Sequence, residues 1–478
     1  MNRKEVAAGF AWNASFSFIN KALFPLIGIV IARILGPAEM GIYVLILAVV
    51  NVAEIFRDAG LGVTFIADPE GERREGVYTT LSIAFGLAMG VLLLLASAPI
   101  AGFYDIAGLS WGLAMASAAV GLNGLATIPA NKLQKQARFR DAGFADTASS
   151  LLSYGVALPL VFSGYGFVGL VWQLLSRSGL FLLFNVWLAR PALPAWSGKA
   201  VRGILAKSVA AMLNNIAYTF YTLGDKAVLG KMFGEHAVGL YGVAYNLAIK
   251  PLDFLTFPLG RTLLVAFSKS TEDRDRFRNI FARSLSAVLL LSLPLYAALA
   301  IYARPIVVGL YSEKFAGAVA PFALLSAYFF FRSCGNLAGN AIFALGRPVL
   351  NVVCWIPGYA IAGAGLWAGR GSLDLLGATA WIVLGAVTVY AINTGLAIWL
   401  LKPKAEDMAR VGKAIAVGSA TTGLLYACSM LSVPDLLALA IALTAGIAAH
   451  LTLVGRTFGT GWFDCFSPSG LRKLWNRL

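Results

Sequence analysis

Residues 76–101 read GVYTTLSIAFGLAMGVLLLLASAPIA and contain no charged side chain. At 1.5 Å rise per residue, a helix of this length extends about 39 Å, more than the hydrocarbon core of a bilayer, which is about 30 Å thick. The run is rich in Gly, Ala and Leu. It lacks the alternation of apolar and polar residues that marks a strand of a membrane barrel. Residues 76–101 therefore predict a transmembrane helix.

Runs of this kind recur along the whole chain. Its 478 residues are 59% hydrophobic and 13% charged, whereas soluble domains carry about 25% charged residues. We predict an all-α integral membrane protein with about 14 transmembrane helices. These helices are placed at residues 8–34, 38–66, 76–101, 109–130, 142–163, 165–189, 207–231, 237–263, 279–302, 318–344, 348–368, 373–401, 411–432 and 434–456.

Most of the positive charge of the chain lies in short loops. The formal net charge is +15, but these loops do not form the continuous basic face that binds a nucleic acid. If the N-terminus is inside, the outer loops carry only Arg33, Lys231, Arg304, Lys314 and Arg370. The positive-inside rule then places both termini in the cytoplasm. We predict a multi-pass protein of the cell inner (cytoplasmic) membrane and no nucleic-acid partner.

Cysteine and histidine do not indicate a metal site. Cys334, Cys354, Cys428 and Cys465 show no paired spacing, and the two histidines of the chain are far apart. Neither a disulfide framework nor a metal site fits this pattern. We therefore expect no metal and no cofactor.

Residues 196–208 combine an apolar and a basic face. The apolar side chains are Trp196, Val201, Ile204 and Leu205, and the basic ones are Lys199, Arg202 and Lys207. This pattern predicts an amphipathic helix lying on the inner membrane surface. Residues 471–478 repeat it at the C-terminus.

A motif of the first half of the chain recurs in the second half. Residues 33–43, RILGPAEMGIY, and residues 231–241, KMFGEHAVGLY, share a basic residue, two glycines and a tyrosine at the same spacing. A looser pair, 99–104 and 305–311, follows in the same order, which indicates a duplication. Such repeats are typical of transporters that bind substrate between the repeats. The predicted parts are two parallel six-helix lobes at 1–200 and 201–405, a C-terminal helix pair at 406–456 and a basic cytoplasmic tail at 457–478.

Several ionisable residues fall inside the predicted helices, where each costs about 2.5–3.5 kcal/mol at a helix centre. They are Lys21, Glu54, Arg57, Asp58, Arg177, Asp225, Lys226, Lys250, Asp253, Arg261 and Arg332. Because lipid cannot solvate these charges, we expect them to face one another or a hydrated cavity. Seven are basic and four are acidic, and a cavity of that sign attracts anions such as phosphate.

Two helices carry matching polar stripes. Tyr328, Arg332, Asn336 and Asn340 recur every four residues in the tenth predicted helix, and Asn123, Thr127 and Asn131 do so in the fourth. This spacing places each set on one helix face. We interpret the stripes as walls of a central cavity. The alternative is that they form hydrogen bonds between packed helices.

Some intramembrane charges have a partner of opposite sign nearby on their own helix. Glu54 and Arg57, like Lys250 and Asp253, are three residues apart and can form structural pairs, and Asp225 can neutralise Lys226. Three basic residues have no acidic residue one turn away, and we predict that they contact the substrate. They are Lys21, Arg177 and Arg332.

Three segments resemble the polysaccharide transporter family of lipid-linked oligosaccharide flippases. The segments are IARILGPAEMGIY at 31–43, QARFRDAGF at 136–144 and GDKAVLGKMFGEHAVGLYGVAYNLAIKP at 224–251. The family belongs to the multidrug/oligosaccharidyl-lipid/polysaccharide exporter superfamily. The resemblance covers nearly the whole chain.

The resemblance implies a V-shaped pair of lobes with a cationic central cavity. The expected substrate is an oligosaccharide repeat unit on undecaprenyl pyrophosphate, an anionic diphosphate lipid, moved from the inner to the outer leaflet. The last helix pair would offer a groove for the isoprenoid tail. A polysaccharide polymerase and sugar transferases of the same pathway would be partners. The implied substrate contacts are Lys21, Arg177, Lys250 and Arg332, to which the stripes add Asn123, Asn336 and Tyr328; Asp58 and Asp225 are candidates for ion coupling.

Two other functions fit parts of the sequence. A multidrug exporter of the same superfamily usually has an acid in the first helix, where this chain has Lys21. A membrane polysaccharide polymerase or ligase tends to have a large outward loop, and our predicted outer loops are short. We therefore expect a transporter and not an enzyme.

Overall fold

The computed structural model describes residues 16, 20, 23–430 and 435–458. Within these ranges the description excludes the side chains of residues 210, 211, 213–223, 255–259, 261, 262, 435–439 and 441–443. Lys21 and most of the predicted basic tail lie outside the described residues. Across the described ranges, every regular element is helical.

The first of two compact units comprises Met1–Gly242. Its helices are α1 (Leu23–Leu35), α2 (Pro37–Asp58), α3 (Leu61–Ala67), α4 (Glu75–Tyr104), α5 (Leu109–Lys135), α6 (Phe139–Phe162), α7 (Phe167–Ala189) and most of α8 (Gly198–Ala248). Helix α8 is kinked at Gly234, whose backbone is not helical.

The second unit comprises Val243–Leu478 and begins with the end of α8. A π-helical turn at Leu252–Thr256 follows, one residue after Pro251, which has no backbone N–H. The further helices are α9 (Phe257–Ser268), α10 (Arg274–Ile301), α11 (Ala303–Tyr311), a 3₁₀ turn (Glu313–Ala318), α12 (Val319–Ala344), α13 (Pro348–Val353), α14 (Trp355–Ala368), α15 (Leu375–Leu401), α16 (Ala405–Ser429) and α17 (Asp435–Phe458).

Ten helical segments of the described residues are long and apolar enough to cross a membrane. They overlap the second to sixth and the ninth to thirteenth predicted spans, which confirms a multi-pass helical membrane protein. The second span, predicted as one helix at 38–66, is instead broken after Asp58, because Ala59 and Gly60 have left-handed backbone conformations. Of the other four predicted spans, the first and the fourteenth contain residues outside the description, and the seventh and eighth contain side chains that the description excludes. The total of fourteen helices, the lobe boundaries at residues 200 and 405 and the orientation of the termini stay predictions.

Part of the apolar face of the segment 196–208 packs against protein and does not contact the membrane. Ile204 is buried in a cluster with Leu61, Phe65 and Tyr78, and Val201 and Leu205 pack against this cluster. The apolar face of the first turns of α8 therefore covers α3 and α4. The prediction of a helix on the membrane surface is wrong for Val201, Ile204 and Leu205, because an apolar stripe does not reveal whether it contacts lipid or protein. Trp196, predicted on the same face, is 71% exposed.

The repeated motif has the same local structure in both copies. Gly36 has φ 84° and ψ 177°, and Gly234 has φ 76° and ψ −174°. Residues other than glycine are strained when φ and ψ take these values. Each glycine allows the chain to turn sharply into the helix that follows, so the duplication seen in the sequence is also a duplication of structure.

The two copies contact each other through their second glycines. A methyl group at Gly41 would overlap the carbonyl oxygen of Glu235, and a methyl group at Gly239 would overlap that of Pro37. Gly41 and Gly239 are equivalent in the repeat, as are Pro37 and Glu235. The contact is therefore symmetric, and small residues allow the two backbones to approach this closely.

Basic residues of the face predicted to be cytoplasmic bind the carboxyl ends of helices. Lys135 Nζ donates to Phe65 O at 2.8 Å at the end of α3, and Arg138 Nη1 donates to Leu188 O at 3.0 Å at the end of α7. Arg278 Nε donates to Leu401 O at 2.7 Å at the end of α15. The last carbonyls of a helix have no partner within the helix, so these cations satisfy them.

We expect Gly41→Ala to lower the midpoint of thermal unfolding in detergent, because overpacking a close backbone contact costs about 1–3 kcal/mol. Gly121→Ala is the matched control, since a methyl group there meets nothing within 4 Å. Alanine also favours the helix by about 1 kcal/mol, so the control should be as stable as the unmodified protein or more stable. Equal midpoints for the two variants would contradict the proposed glycine contact.

Candidate functional site

A charged network joins α2 to α5 in the first unit. Arg57 Nε donates to Glu54 Oε2 at 2.5 Å, and Arg57 Nη1 donates to Asn123 O at 3.0 Å and to Thr127 Oγ1. Asn123 Nδ2 donates to Glu54 Oε1 at 2.8 Å. The predicted Glu54–Arg57 pair is confirmed. The network uses the polar stripe of the fourth predicted helix to hold the second.

The polar stripe of α12 makes comparable contacts in the second unit. Arg332 Nη1 donates to Tyr328 Oη at 3.0 Å and to Tyr245 Oη at 3.3 Å. The guanidinium also lies 5.7 Å from the ring centre of Phe329, which allows a cation–π interaction. Arg332 is only 2% exposed, so the expectation that it faces a hydrated cavity is wrong for the described structure.

Other members of both stripes also bond to protein groups, either within their own helix or across to a neighbouring one. Asn131 Nδ2 bonds to Thr127 O at 2.8 Å within α5. Asn340 Nδ2 donates to Gly260 O at 3.3 Å, across to α9, while Asn336 is half-buried on the same face of α12. These contacts favour interhelical hydrogen bonding over the interpretation of the stripes as cavity walls.

The remaining predicted pairs form with different geometries. Lys226 Nζ lies 3.6 Å from Asp225 Oδ1, and Tyr241 Oη donates to Asp225 Oδ2 at 2.6 Å. Lys250 Nζ lies 3.9 Å from Asp253 Oδ2, at the limit of an ion pair. Both of these pairs were predicted and are present. Asp58 Oδ1 accepts the backbone N–H of Gly62 at 3.3 Å, at the start of α3.

A polar cavity of about 330 Å³ lies within the first unit, next to α6 and α7. Its volume is in the range of small-molecule sites, about 300–1,000 Å³. The lining residues are Asn20, Phe24, Asp146, Ser150, Tyr154, Gln173 and Arg177. An open space lined by charged, amide and hydroxyl groups between the helices of a membrane protein is a candidate site for a polar ligand.

Arg177 is the cation of this cavity, and it has an acidic partner. Arg177 Nη2 donates to Asp146 Oδ1 at 2.8 Å, and Arg177 Nε donates to Ser150 Oγ at 2.9 Å. The expectation of an unpaired Arg177 is wrong, because spacing along one helix reveals only partners on that helix and Asp146 lies on α6. The side chains of Arg177 and Asp146 are 39% and 44% exposed, so both contact the cavity.

Two neighbours complete the polar wall. Asn20 Nδ2 donates to Asp146 Oδ2 at 3.1 Å, and Gln173 Nε2 donates to Ser153 Oγ at 3.0 Å. Asn20 Oδ1 is buried and has no hydrogen-bond partner in the described part of the chain.

Asp146, Ser150 and Tyr154 are not among the site residues predicted from the sequence. Their spacing of four residues marks one face of α6, and this pattern could have revealed them. A stripe on one helix does not show which residue of another helix it meets, so the pairing of Asp146 with Arg177 required the tertiary structure.

The described residues hold no group of three or more His, Cys, Asp or Glu side chains placed to bind a metal ion. Cys334, Cys354 and Cys428 are buried thiols. Cys465 lies outside the described residues.

The fold is shared with membrane transporters of known structure. The structure superimposes on the lipid II flippase MurJ in an inward closed conformation with a TM-score of 0.74 at 13% identity, covering 93% of this chain and 99% of that one. An inward-facing multidrug resistance MATE family transporter of the MOP superfamily gives a TM-score of 0.62 at 14% identity, over 82% of this chain and 98% of that one.

Within that class, the profile of the family described as "Polysaccharide biosynthesis protein" matches residues 30–320. The chain belongs to this family, which confirms the resemblance drawn from the sequence. The lipopolysaccharide biosynthesis protein WzxC of Escherichia coli K12 is 25% identical over 84% of this chain and 82% of its own length. The teichuronic acid biosynthesis protein TuaB of Bacillus subtilis is 23% identical over 73% of this chain and 72% of its own length.

We expect Glu54→Gln and Arg57→Gln each to destabilise the protein by about 1–3 kcal/mol. This is less than the 3–5 kcal/mol of a fully buried pair, because the side chains of Arg57 and Glu54 are 13% and 22% exposed. The double variant should lose at least about 1 kcal/mol less than the sum of the single variants. Thermal and denaturant unfolding measure these differences.

The exposed pair Arg304–Glu313 is the matched control, with side chains 67% and 69% exposed. Its two glutamine variants should change stability by less than about 1 kcal/mol and add independently. Strict additivity at Glu54 and Arg57 would show that the network does not act as one unit.

Proposed function

We propose that this chain is a flippase that moves undecaprenyl-pyrophosphate-linked oligosaccharide repeat units from the inner to the outer leaflet. The product would serve the synthesis of a surface polysaccharide such as O-antigen, capsule or exopolysaccharide. Family membership and a fold shared with a lipid II flippase support this assignment. A relative in Rhizobium meliloti, 23% identical over 62% of this chain, is named the succinoglycan biosynthesis transport protein ExoT.

The cavity next to α6 and α7 is the observation that carries the proposal. It places the guanidinium of Arg177 beside an open volume of about 330 Å³. Guanidinium groups bind phosphate oxygens through paired hydrogen bonds, and the hydroxyl and amide groups of the wall suit a sugar. The volume fits the diphosphate and the first sugar rings, while the isoprenoid chain stays in lipid.

We propose further contacts on the basis of charge. Lys250 and Arg332 are the two predicted substrate contacts that are basic and lie in the second unit. Lys250 is the more accessible of them, with its side chain 39% exposed. Arg332 would bind substrate only if Tyr245 and Tyr328 moved aside, since they cover it. Lys21 lies one residue from Asn20 of the cavity, outside the described residues. The proposed substrate contacts also include three uncharged polar residues of the stripes, Asn123, Asn336 and Tyr328. The proposed ion-coupling residues are Asp58 and Asp225.

The proposed setting is the cell inner membrane with both termini in the cytoplasm. This is where lipid-linked sugars are assembled, so the partners would be the sugar transferases that make the substrate and the polymerase that consumes it. A lipid II flippase and a multidrug resistance transporter both share this fold, so the fold alone does not distinguish a lipid-linked sugar from a drug as the substrate. Transport measurements must make this distinction.

We expect Arg177→Ala to reduce polymer export at least tenfold, because the variant removes the guanidinium that lines the cavity. We expect the double variant Arg332→Ala/Lys21→Ala to abolish polymer export. Arg304→Ala is the control, since Arg304 is an exposed cation on a predicted outer loop. All variants should reach the membrane in comparable amounts on immunoblots. Normal polymer output from Arg177→Ala and from the double variant would contradict the site assignment.

Purified protein in vesicles provides the direct test of function. Fluorescent lipid-linked oligosaccharide placed in one leaflet should become accessible in the other leaflet in a protein-dependent manner, and its sugar chain should keep its length. Lengthening of the chain would identify a polymerase or ligase. Transport of ethidium, with no movement of the lipid-linked sugar, would identify a drug exporter.

A further inference from the structure

The carboxylate of Asp146 occupies the position next to Arg177 that an anionic ligand would take. The two side chains come from adjacent helices, α6 and α7, and meet at 2.8 Å on the wall of the cavity. Both are partly exposed, unlike the more buried Glu54–Arg57 pair. A pair needed only to hold the two helices together has no reason to border an open volume.

The pair engages only part of the guanidinium. Arg177 gives Nη2 to Asp146 and Nε to Ser150, so Asp146 does not receive the two parallel bonds of a bidentate contact. A diphosphate has more acceptor oxygens and more negative charge than a carboxylate, and it can form the bidentate contact. Exchange of the carboxylate for a diphosphate would therefore strengthen the bonding of Arg177.

Asp146 keeps a partner when Arg177 is withdrawn. Its second oxygen accepts from Asn20 Nδ2 at 3.1 Å. A carboxylate with a remaining hydrogen bond and access to the cavity is not left buried and unsatisfied, which would otherwise carry a large penalty. The local geometry thus permits Arg177 to change partner without disrupting the wall.

We propose that Asp146 is an internal stand-in for the diphosphate: it holds Arg177 in the empty transporter and is displaced when the substrate binds. The inference rests on the proposed function, because it assumes an anionic substrate at Arg177. Asp146 then acts as a positioning residue that sets affinity. It orients the guanidinium before binding and competes with the substrate, so that the substrate is released on the other side of the membrane.

The sign of the effect follows from charge. With the substrate in place, the carboxylate and the diphosphate are like charges beside one guanidinium, and they repel each other. Asp146→Asn removes this repulsion and the competition, while an amide of the same shape can still accept from Asn20. The variant should therefore bind the diphosphate group more tightly than the unmodified protein, and release it more slowly.

The experiment measures binding of undecaprenyl pyrophosphate to the purified full-length protein in nanodiscs. We expect Asp146→Asn to bind about tenfold more tightly than the unmodified protein, an effect between those of exposed and buried ion pairs. Inorganic pyrophosphate should show a gain in the same direction. Undecaprenol, which lacks the diphosphate, should bind equally to both proteins, and this readout separates competition from a general change in structure.

Two further variants complete the set. Asp141→Asn is the matched control, because Asp141 lies on the same helix in the exposed pair with Arg138, and it should leave affinity unchanged. Arg177→Ala/Asp146→Asn should lose the gain, since the gain acts through Arg177. In cells, Asp146→Asn should export polymer more slowly although it binds substrate more tightly.

The outcomes separate the two proposals. If the unmodified protein binds undecaprenyl pyrophosphate but Asp146→Asn binds it equally or more weakly, with an unchanged midpoint of thermal unfolding, the stand-in role is wrong and the proposed function stands. An equal gain for undecaprenol would also overturn the stand-in role. If neither the unmodified protein nor any of the variants binds the diphosphate lipid, both proposals fail.

Discussion

An ionised side chain within a bilayer must be paired with an opposite charge, hydrogen-bonded by the protein or hydrated, and this constraint determines where the described ionisable residues lie. Glu54 and Arg57 satisfy it along one helix, with Asn123 and Thr127 of a second helix accepting or donating the remaining hydrogen bonds. Arg332 satisfies it differently, beneath two tyrosine hydroxyls and an aromatic ring. In both cases the charge fixes the packing of two helices, because separating them would expose it to hydrocarbon.

Arg177 obeys the same constraint with a different result. Its partner Asp146 neutralises it, but the pair borders an open volume and retains access to water. Neutralisation of this kind is reversible, since another anion can replace the carboxylate without exposing a bare charge to lipid. The need to neutralise intramembrane charge thus explains both the structural Glu54–Arg57 network and the candidate binding site at α6 and α7.

The sequence predicted well those features that depend on one helix alone. Helix length and apolar composition located the spans, and spacing of three residues identified the Glu54–Arg57 and Lys250–Asp253 pairs. Contacts between different helices could not be predicted from the sequence. The partner of Arg177 lies 31 positions away on α6, and the apolar face around Ile204 covers α3 and α4 instead of lipid. The stripe on α12 was correctly placed on one face, but periodicity does not tell whether that face meets water, lipid or protein.

The contact between Gly41 and Gly239 links positions that are far apart in the chain but equivalent in the duplicated motif. A larger residue at one of them leaves no space for the backbone opposite, whatever residue stands there. The two halves of the ancestral duplication cannot drift apart at this point as freely as they do elsewhere. Related proteins should therefore keep glycine at both positions, because no substitution at one of them can make room for a larger residue at the other.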